Sequence, residues 1–213
     1  MTDRLNTIFL SLSPCEVFAD VGCDHGYIAK AMLDSGKCQK AIISDISERC
    51  LEKAKTLLSE YIDNKKCHAV VSNGFSKTGE CDLALIAGMG GEEIVSILLN
   101  APFLPNKLVL QPMKNPEKVR ETAVSLGYKI LSDRVFIAES KYYDLIVLEK
   151  GQDLLSKEEK EFGRTNLLEK GEAFTKRISE RIKLLSRLIE DKKVSEEERR
   201  KLFSELEKLK KYV

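Results

Sequence analysis

A chain of 213 residues with 43% apolar content is long enough for one full domain and an appendage, and it is expected to fold alone. Its 35 Lys+Arg against 34 Asp+Glu leave a net charge of +1, so charge by itself neither requires nor excludes a nucleic-acid partner. No stretch of eighteen apolar residues occurs, and residues 1–12 carry Asp3 and Arg4 where a signal peptide needs an apolar core, which predicts no membrane partner and a cytoplasmic protein.

The first strand is expected at residues 17–21, followed by the turn Gly22-Cys23-Asp24-His25-Gly26-Tyr27 and a helix. The acid Asp20 stands at the strand end and the glycines read D-x-G-x-x-x-G, unlike the G-x-G-x-x-G turn that seats a pyrophosphate on a helix N-terminus. A carboxylate there repels phosphate and attracts ammonium and sulfonium charge, so Asp20 and Gly22 suit S-adenosylmethionine better than a dinucleotide. Methyl transfer is the first function that follows. Asp24 and His25, inside the same turn, are the candidate catalytic pair; the plainer alternatives are a helix cap for Asp24 and a surface hydrogen bond for His25.

The second strand, 41–45, ends in Asp45, whose carboxylate at the neighbouring strand tip could accept ribose hydroxyls, with a helix cap beside Ser47 as the alternative. After the third strand, 68–72, Asn73 and Gly74 are candidates for the adenine edge and Phe75 for stacking on its ring, although Asn-Gly is also an ordinary turn signal. The fourth strand, 83–87, opens into Gly88-Met89-Gly90-Gly91-Glu92-Glu93. Exposed backbone at Gly88 and Met89 suits contact with the methionine moiety, and the two glutamates suit the first turn of a helix. The fifth strand spans 108–111, and a helix starting at Asn115-Pro116-Glu117 and ending at Gly127 follows it. Strands at 129–138 and 142–149 are joined by Glu139-Ser140-Lys141, too short for a parallel crossover, so they are expected to pair antiparallel. With helices between the first five pairs of strands, residues 1–152 read as an α/β, Rossmann-like domain with a seven-stranded, mostly parallel sheet and a closing antiparallel hairpin.

Residues 153–213 read as a helical appendage. Phe174, Ile178, Ile182, Leu185 and Ile189 form one apolar stripe, Ser195-Glu196-Glu197-Glu198 a capping box, and Leu202, Leu206 and Leu209 a second stripe. With Asp191–Val194 as the turn, a short coiled-coil-like hairpin is expected. This part holds 17 Lys+Arg against 14 Asp+Glu, net +3, leaving 18 against 20, net −2, for residues 1–152. Lys176, Arg177, Arg181, Lys183 and Arg187 could meet phosphates, although the interleaved glutamates also fit a solvated face. A monomer is expected, with dimerisation through the stripe as the alternative.

The six cysteines, Cys15, Cys23, Cys38, Cys50, Cys67 and Cys81, form no C-x-x-C pair, and the only histidines are His25 and His68. No metal site is expected, and the thiols read as small buried hydrophobes in a reducing compartment.

Ala19-Asp20-Val21-Gly22-Cys23-Asp24-His25-Gly26-Tyr27, Ile86-Ala87-Gly88-Met89-Gly90-Gly91, Leu110-Gln111-Pro112, and Glu139 with Tyr142-Tyr143 together resemble the bacterial tRNA adenine-22 N1-methyltransferases. The likeness spans about residues 1–150 and extends as architecture through the tail. It implies transfer of a methyl group from S-adenosylmethionine to N1 of an adenine in the D-arm of tRNA, with the coiled-coil appendage helping to hold the tRNA. It also implies cofactor contacts at Asp20, Gly22, Asp45 and the Gly88-Met89 loop, and a catalytic acid at Asp24. The chain departs from many members at Cys23 (usually a small residue), Gly26 (alanine), Asp45 (glutamate) and Asn73 (aspartate). Asp45 keeps the carboxylate, whereas Asn73 loses a charge, which puts a purely acceptor contact with adenine in question. A methyltransferase of another RNA, a protein or a small amine would show the same cofactor residues. A non-catalytic cofactor-binding module is the third reading, against which Asp24, His25 and the glycine loop weigh.

Overall fold

The computed structural model describes residues 1–191 and 194–213. In chain order the elements are α1 (Asp3–Ser11), β1 (Cys15–Val21), α2 (Tyr27–Asp34), β2 (Cys38–Asp45), α3 (Glu48–Leu57), α4 (Ser59–Asp63), β3 (Cys67–Val71) and β4 (Leu83–Met89). They continue with α5 (Gly91–Leu99), β5 (Lys107–Pro112), α6 (Pro116–Ser125), β6 (Tyr128–Ala138), β7 (Lys141–Lys150), α7 (Lys157–Phe162), α8 (Arg164–Glu169), α9 (Glu172–Glu190) and α10 (Glu196–Leu209). The strands form one sheet in the order β3-β2-β1-β4-β5-β7-β6, parallel except where β7 pairs antiparallel with β5 and β6. This is the Rossmann-like sheet expected from the strand pattern. The order reverses between β1 and β4, and such a reversal opens a crevice at the carboxyl ends of the strands.

Alternating side chains divide the core between the two faces of the sheet. Phe18, Ile43 and Leu85 pack under Ile8, Met32 and Leu51 on one face, while Ala19, Ile86 and Leu110 pack under Ile94 and Val119 on the other. The hairpin turn is tighter than Glu139-Ser140-Lys141. Only Glu139 and Ser140 lie outside the strands, with φ 45° and 60°, as a two-residue turn matched to strand twist requires.

Two local expectations fail. No helix covers the β3–β4 connection: Ser72 Oγ donates to the Gly74 carbonyl (2.9 Å) and accepts from Lys77 N–H (3.1 Å), so its backbone is tied into turns. Phe75 is 1% exposed and packs edge-on against Phe103, so it plugs the core and presents no face to a base. Conversely, α1 was not among the expected helices, yet Thr2 caps it by accepting from Leu5 N–H and Ile8 is wholly buried.

In the tail, Phe174, Ile178 and Leu185 of α9 and Leu206 and Leu209 of α10 are buried together with Val135 of β6. The stripe therefore faces both the partner helix and the closing hairpin. Ser195 accepts from Glu198 N–H, and among the described hydrogen bonds the reciprocal half of the box is missing. Lys192 and Lys193 of the expected turn lie outside the described residues.

Candidate functional site

The crevice is a cleft of about 560 Å³, a size suited to a small-molecule ligand. Asp20, Gly22, Asp24, His25, Asp45, Asn73, Gly74, Gly88 and Met89 all line it. Four segments separated by up to 69 positions thus converge because parallel strands deliver their carboxyl ends to one edge.

At the floor, the Asp20 carboxyl is 6% exposed and lies against the start of α2, where it accepts from Ala29 N–H. Burial pushes its pKa up to about 7; the Ala29 bond opposes that rise and the nearby Asp45 carboxylate adds to it. Among the described residues no cation pairs with Asp20. Gly22 turns the chain with φ 75°, and Met89 lies over it so closely that a Cβ would sit 2.0 Å from Met89 Cε. Met89 could swing aside, but an L side chain would still be strained at that φ. Cys23 is 9% exposed at the cleft wall. Its thiol is pushed well above the ordinary range by burial first and then by Asp20 and Asp45.

Asp45 organises the turn above that floor. Its Oδ2 accepts from Asp24 N–H (3.2 Å) and its Oδ1 from Ser47 N–H (2.8 Å). Ser47, accepting from Cys50 N–H, is the actual cap of α3. Each Asp45 oxygen keeps a lone pair, so the carboxylate still has capacity for ligand hydroxyls. Asn73 and Gly74 follow from the adjacent strand, with Ser72 N–H donating to the Asp45 carbonyl (3.0 Å).

Asp24 and His25 stand at the rim. Asp24 has φ 46°, a left-handed conformation that aspartate tolerates at modest cost, and its side chain is 61% exposed. His25 Nδ1 lies 2.7 Å from Asp24 Oδ2, and the imidazole stacks flat on Tyr27, with ring centroids 5.5 Å apart and an interplanar angle of 5°. One carboxylate oxygen of Asp24 is thereby engaged, and the other has no partner among the described hydrogen bonds. Glu93 accepts from Gly90 N–H (3.0 Å) and closes the start of α5, in keeping with a first-turn acid.

Arg4 completes the wall, and the sequence reading missed it. Its Nε donates to Gln111 Oε1 (2.7 Å), its backbone N–H to Glu139 Oε1 (3.3 Å), and its guanidinium lies 5.4 Å from the Tyr143 ring centre. Gly88, with φ 80°, leaves room for it: a Cβ there would meet Arg4 Nη2 at 2.8 Å. The Thr2 cap and the apolar spacing of Leu5, Ile8 and Leu12 were available signals for α1, but nothing local shows that it would bring a cation to the cleft. Among the described residues, no three His, Cys, Asp or Glu gather as metal ligands, and no helix is long and apolar enough to cross a membrane.

Comparison with known proteins places this geometry in context. Residues 1–146 match the family described as a methyltransferase domain. A Mycoplasma pneumoniae protein named for tRNA methylation is 30% identical over 157 residues, covering 70% of this chain and 72% of that one. The tRNA (adenine(22)-N(1))-methyltransferase of Bacillus subtilis is 29% identical over 156 residues, covering 71% of this chain and 66% of that one. A crystal structure of a Streptococcus pneumoniae protein assigned as a tRNA (m1A22) methyltransferase superposes with TM-score 0.90 at 25% identity, covering 100% of this chain and 99% of the other. That protein has also been crystallised with S-adenosyl-L-methionine, and this second structure gives TM-score 0.88 at 24% identity over 100% and 99% of the two chains. With a matching family over residues 1–146 and full-length likeness of fold to a protein assigned to tRNA methylation, the chain belongs to the methyltransferase-domain family.

Proposed function

We propose that this chain transfers a methyl group from S-adenosylmethionine to N1 of adenine 22 in the D-arm of tRNA. The observation that carries the reading is the meeting, in one cleft, of an unpaired buried carboxyl at Asp20 with the exposed Asp24–His25 pair at the rim. The donor set fits the cofactor. Asp20 is complementary to its positive charges, Asp45 to ribose hydroxyls, the Gly88-Met89 backbone to the methionine moiety and Arg4 to its carboxylate. Asn73 and Gly74 border the space left for adenine, where the Asn73 amide offers both a donor and an acceptor.

When bound, the cofactor supplies an electrophilic methyl on a sulfonium and leaves as a neutral thioether. Adenine N1 attacks with its own lone pair, so no proton has to be removed before the new C–N bond forms. Asp24 then acts by holding the exocyclic amine of the adenine and stabilising the positive charge that grows on the ring. His25 holds Asp24 in place. Because N1 lies on the pairing edge, the nucleotide must leave its stack, and Tyr27, backed by His25, offers the exposed ring nearest the turn. Gln111 does not serve that pocket, since it is wholly buried and engaged with Arg4. Residues 153–213 are assigned to holding the body of the tRNA.

Incubation with labelled S-adenosylmethionine and unmodified bacterial tRNA tests the reaction. A reverse-transcription stop is expected at the D-arm adenine, and label without that stop overturns the assigned atom. Asp24→Ala is expected to keep cofactor affinity and lose turnover by about 10²-fold or more; unchanged turnover removes Asp24 from the site.

A further inference from the structure

We propose that Asp144 and Arg177 are positioning residues for RNA methylation: they lock the helical tail against the closing hairpin so that a tRNA held by the tail meets the cleft in one orientation. The inference rests on the reading of this chain as a tRNA methyltransferase. Its warrant is a buried ionic junction outside the cleft. In the middle of β7, Asp144 Oδ1 accepts from Arg120 Nη2 (3.0 Å) and Oδ2 from Arg177 Nη1 of α9 (2.9 Å). Arg120 is wholly buried and also donates to Asp133 Oδ2 (3.2 Å) and to the carbonyls of Lys160 (3.2 Å) and Glu161 (3.4 Å) in α7. Asp133 in turn accepts from the backbone N–H groups of Arg164 (3.1 Å) and Thr165 (2.7 Å), at the start of α8.

Three tail helices are thus pinned to α6, β6 and β7, α7 through the Arg120 guanidinium and α8 and α9 through the two carboxylates. Buried ion pairs of this kind add little net stability over apolar packing, but they tolerate only one geometry, because a displaced partner strands a charge. An apolar stripe alone would let α9 slide along β6. The strand that bears the junction also touches a residue of the cleft wall: Tyr143, the residue before Asp144, faces the opposite side and lies against Arg4, which lines the cleft. One strand therefore holds the tail on one face and supports a cleft-lining side chain on the other.

Arg177 is the place to test this. Its side chain is 43% exposed and its one described ion pair is with Asp144, so removing it spares the buried Arg120–Asp133 contact. Arg177→Gln is expected to raise the KM for tRNA about tenfold while kcat and cofactor affinity stay within about twofold. It should also speed amide hydrogen exchange in α9, and Arg177→Lys, which keeps the charge, should recover most of both effects. A KM unchanged in Arg177→Gln overturns the proposal. A raised KM with unchanged exchange overturns it as well, since Arg177 would then be touching RNA itself. If the unmutated protein fails to methylate tRNA, the underlying reading falls instead, and that failure is visible before any variant is compared.

Discussion

The molecule buries carboxyl groups in two places and treats them in opposite ways. At the tail junction, Asp133 and Asp144 are surrounded by Arg120, Arg177 and backbone amides, so their charge is answered within the chain. At the cleft floor, Asp20 is also buried, yet among the described residues it receives one backbone N–H and no cation. The first arrangement is complete as it stands and serves architecture. The second is electrostatically unfinished, and it becomes favourable only when a positively charged ligand arrives.

The largest effect expected from this contrast is at the junction. Asp133→Ala removes one of the two carboxylates that answer the buried Arg120 and leaves the Arg164 and Thr165 amides without their acceptor, so it should cost about 3–5 kcal/mol of stability, read as a lower urea midpoint. A loss below about 1 kcal/mol would mean that the junction is not the closed system described. At the floor, by contrast, Asp20→Asn should leave the urea midpoint unchanged or raised at pH 8, yet weaken cofactor binding about a hundredfold, or about 2.7 kcal/mol. Equal effects on stability at the two sites would erase the comparison.

Titration sharpens it further. The folded pKa of Asp20, about 7, lies above its ordinary 3.8, so its contribution to stability is fully present below about pH 4 and is lost as pH rises through 7. A cationic ligand selects the ionised form, so cofactor affinity should move the other way and increase about tenfold between pH 6 and 8. Calorimetry at the two pH values should show this in the native protein and a flat response in Asp20→Asn. The smallest change is expected from Arg4→Gln, a loss in cofactor affinity of about fivefold, because an open and solvated end of the cleft screens that contact. A change as large as that at Asp20 would move the electrostatic centre of the site to α1.

The parts of this design that could be read from the chain are those written in contiguous residues. Asp20 through Tyr27 announce a strand, a glycine turn and a helix in order, and parallel-sheet rules then place Asp45, Asn73 and Gly88 beside them. Arg4 was invisible by the same logic, since its partners Gln111 and Glu139 lie 107 and 135 positions away. Phe75 misled because an aromatic after Asn-Gly looks exposed, whereas the helix-free β3–β4 connection turns it inward. Arg120, Asp133 and Asp144 carry no local mark of burial in the sequence, since it is the docking of α7, α8 and α9 that covers them.

Cys23 sits beside the place where an activated methyl group would be held. Sulfur attacks alkylating agents as the thiolate, and burial next to Asp20 and Asp45 keeps this thiol protonated. The carboxyls that make the cleft attractive to a positively charged methyl donor thereby also disarm a competing nucleophile in the cleft wall. A reagent that alkylates bases is stored against a protein wall without alkylating it.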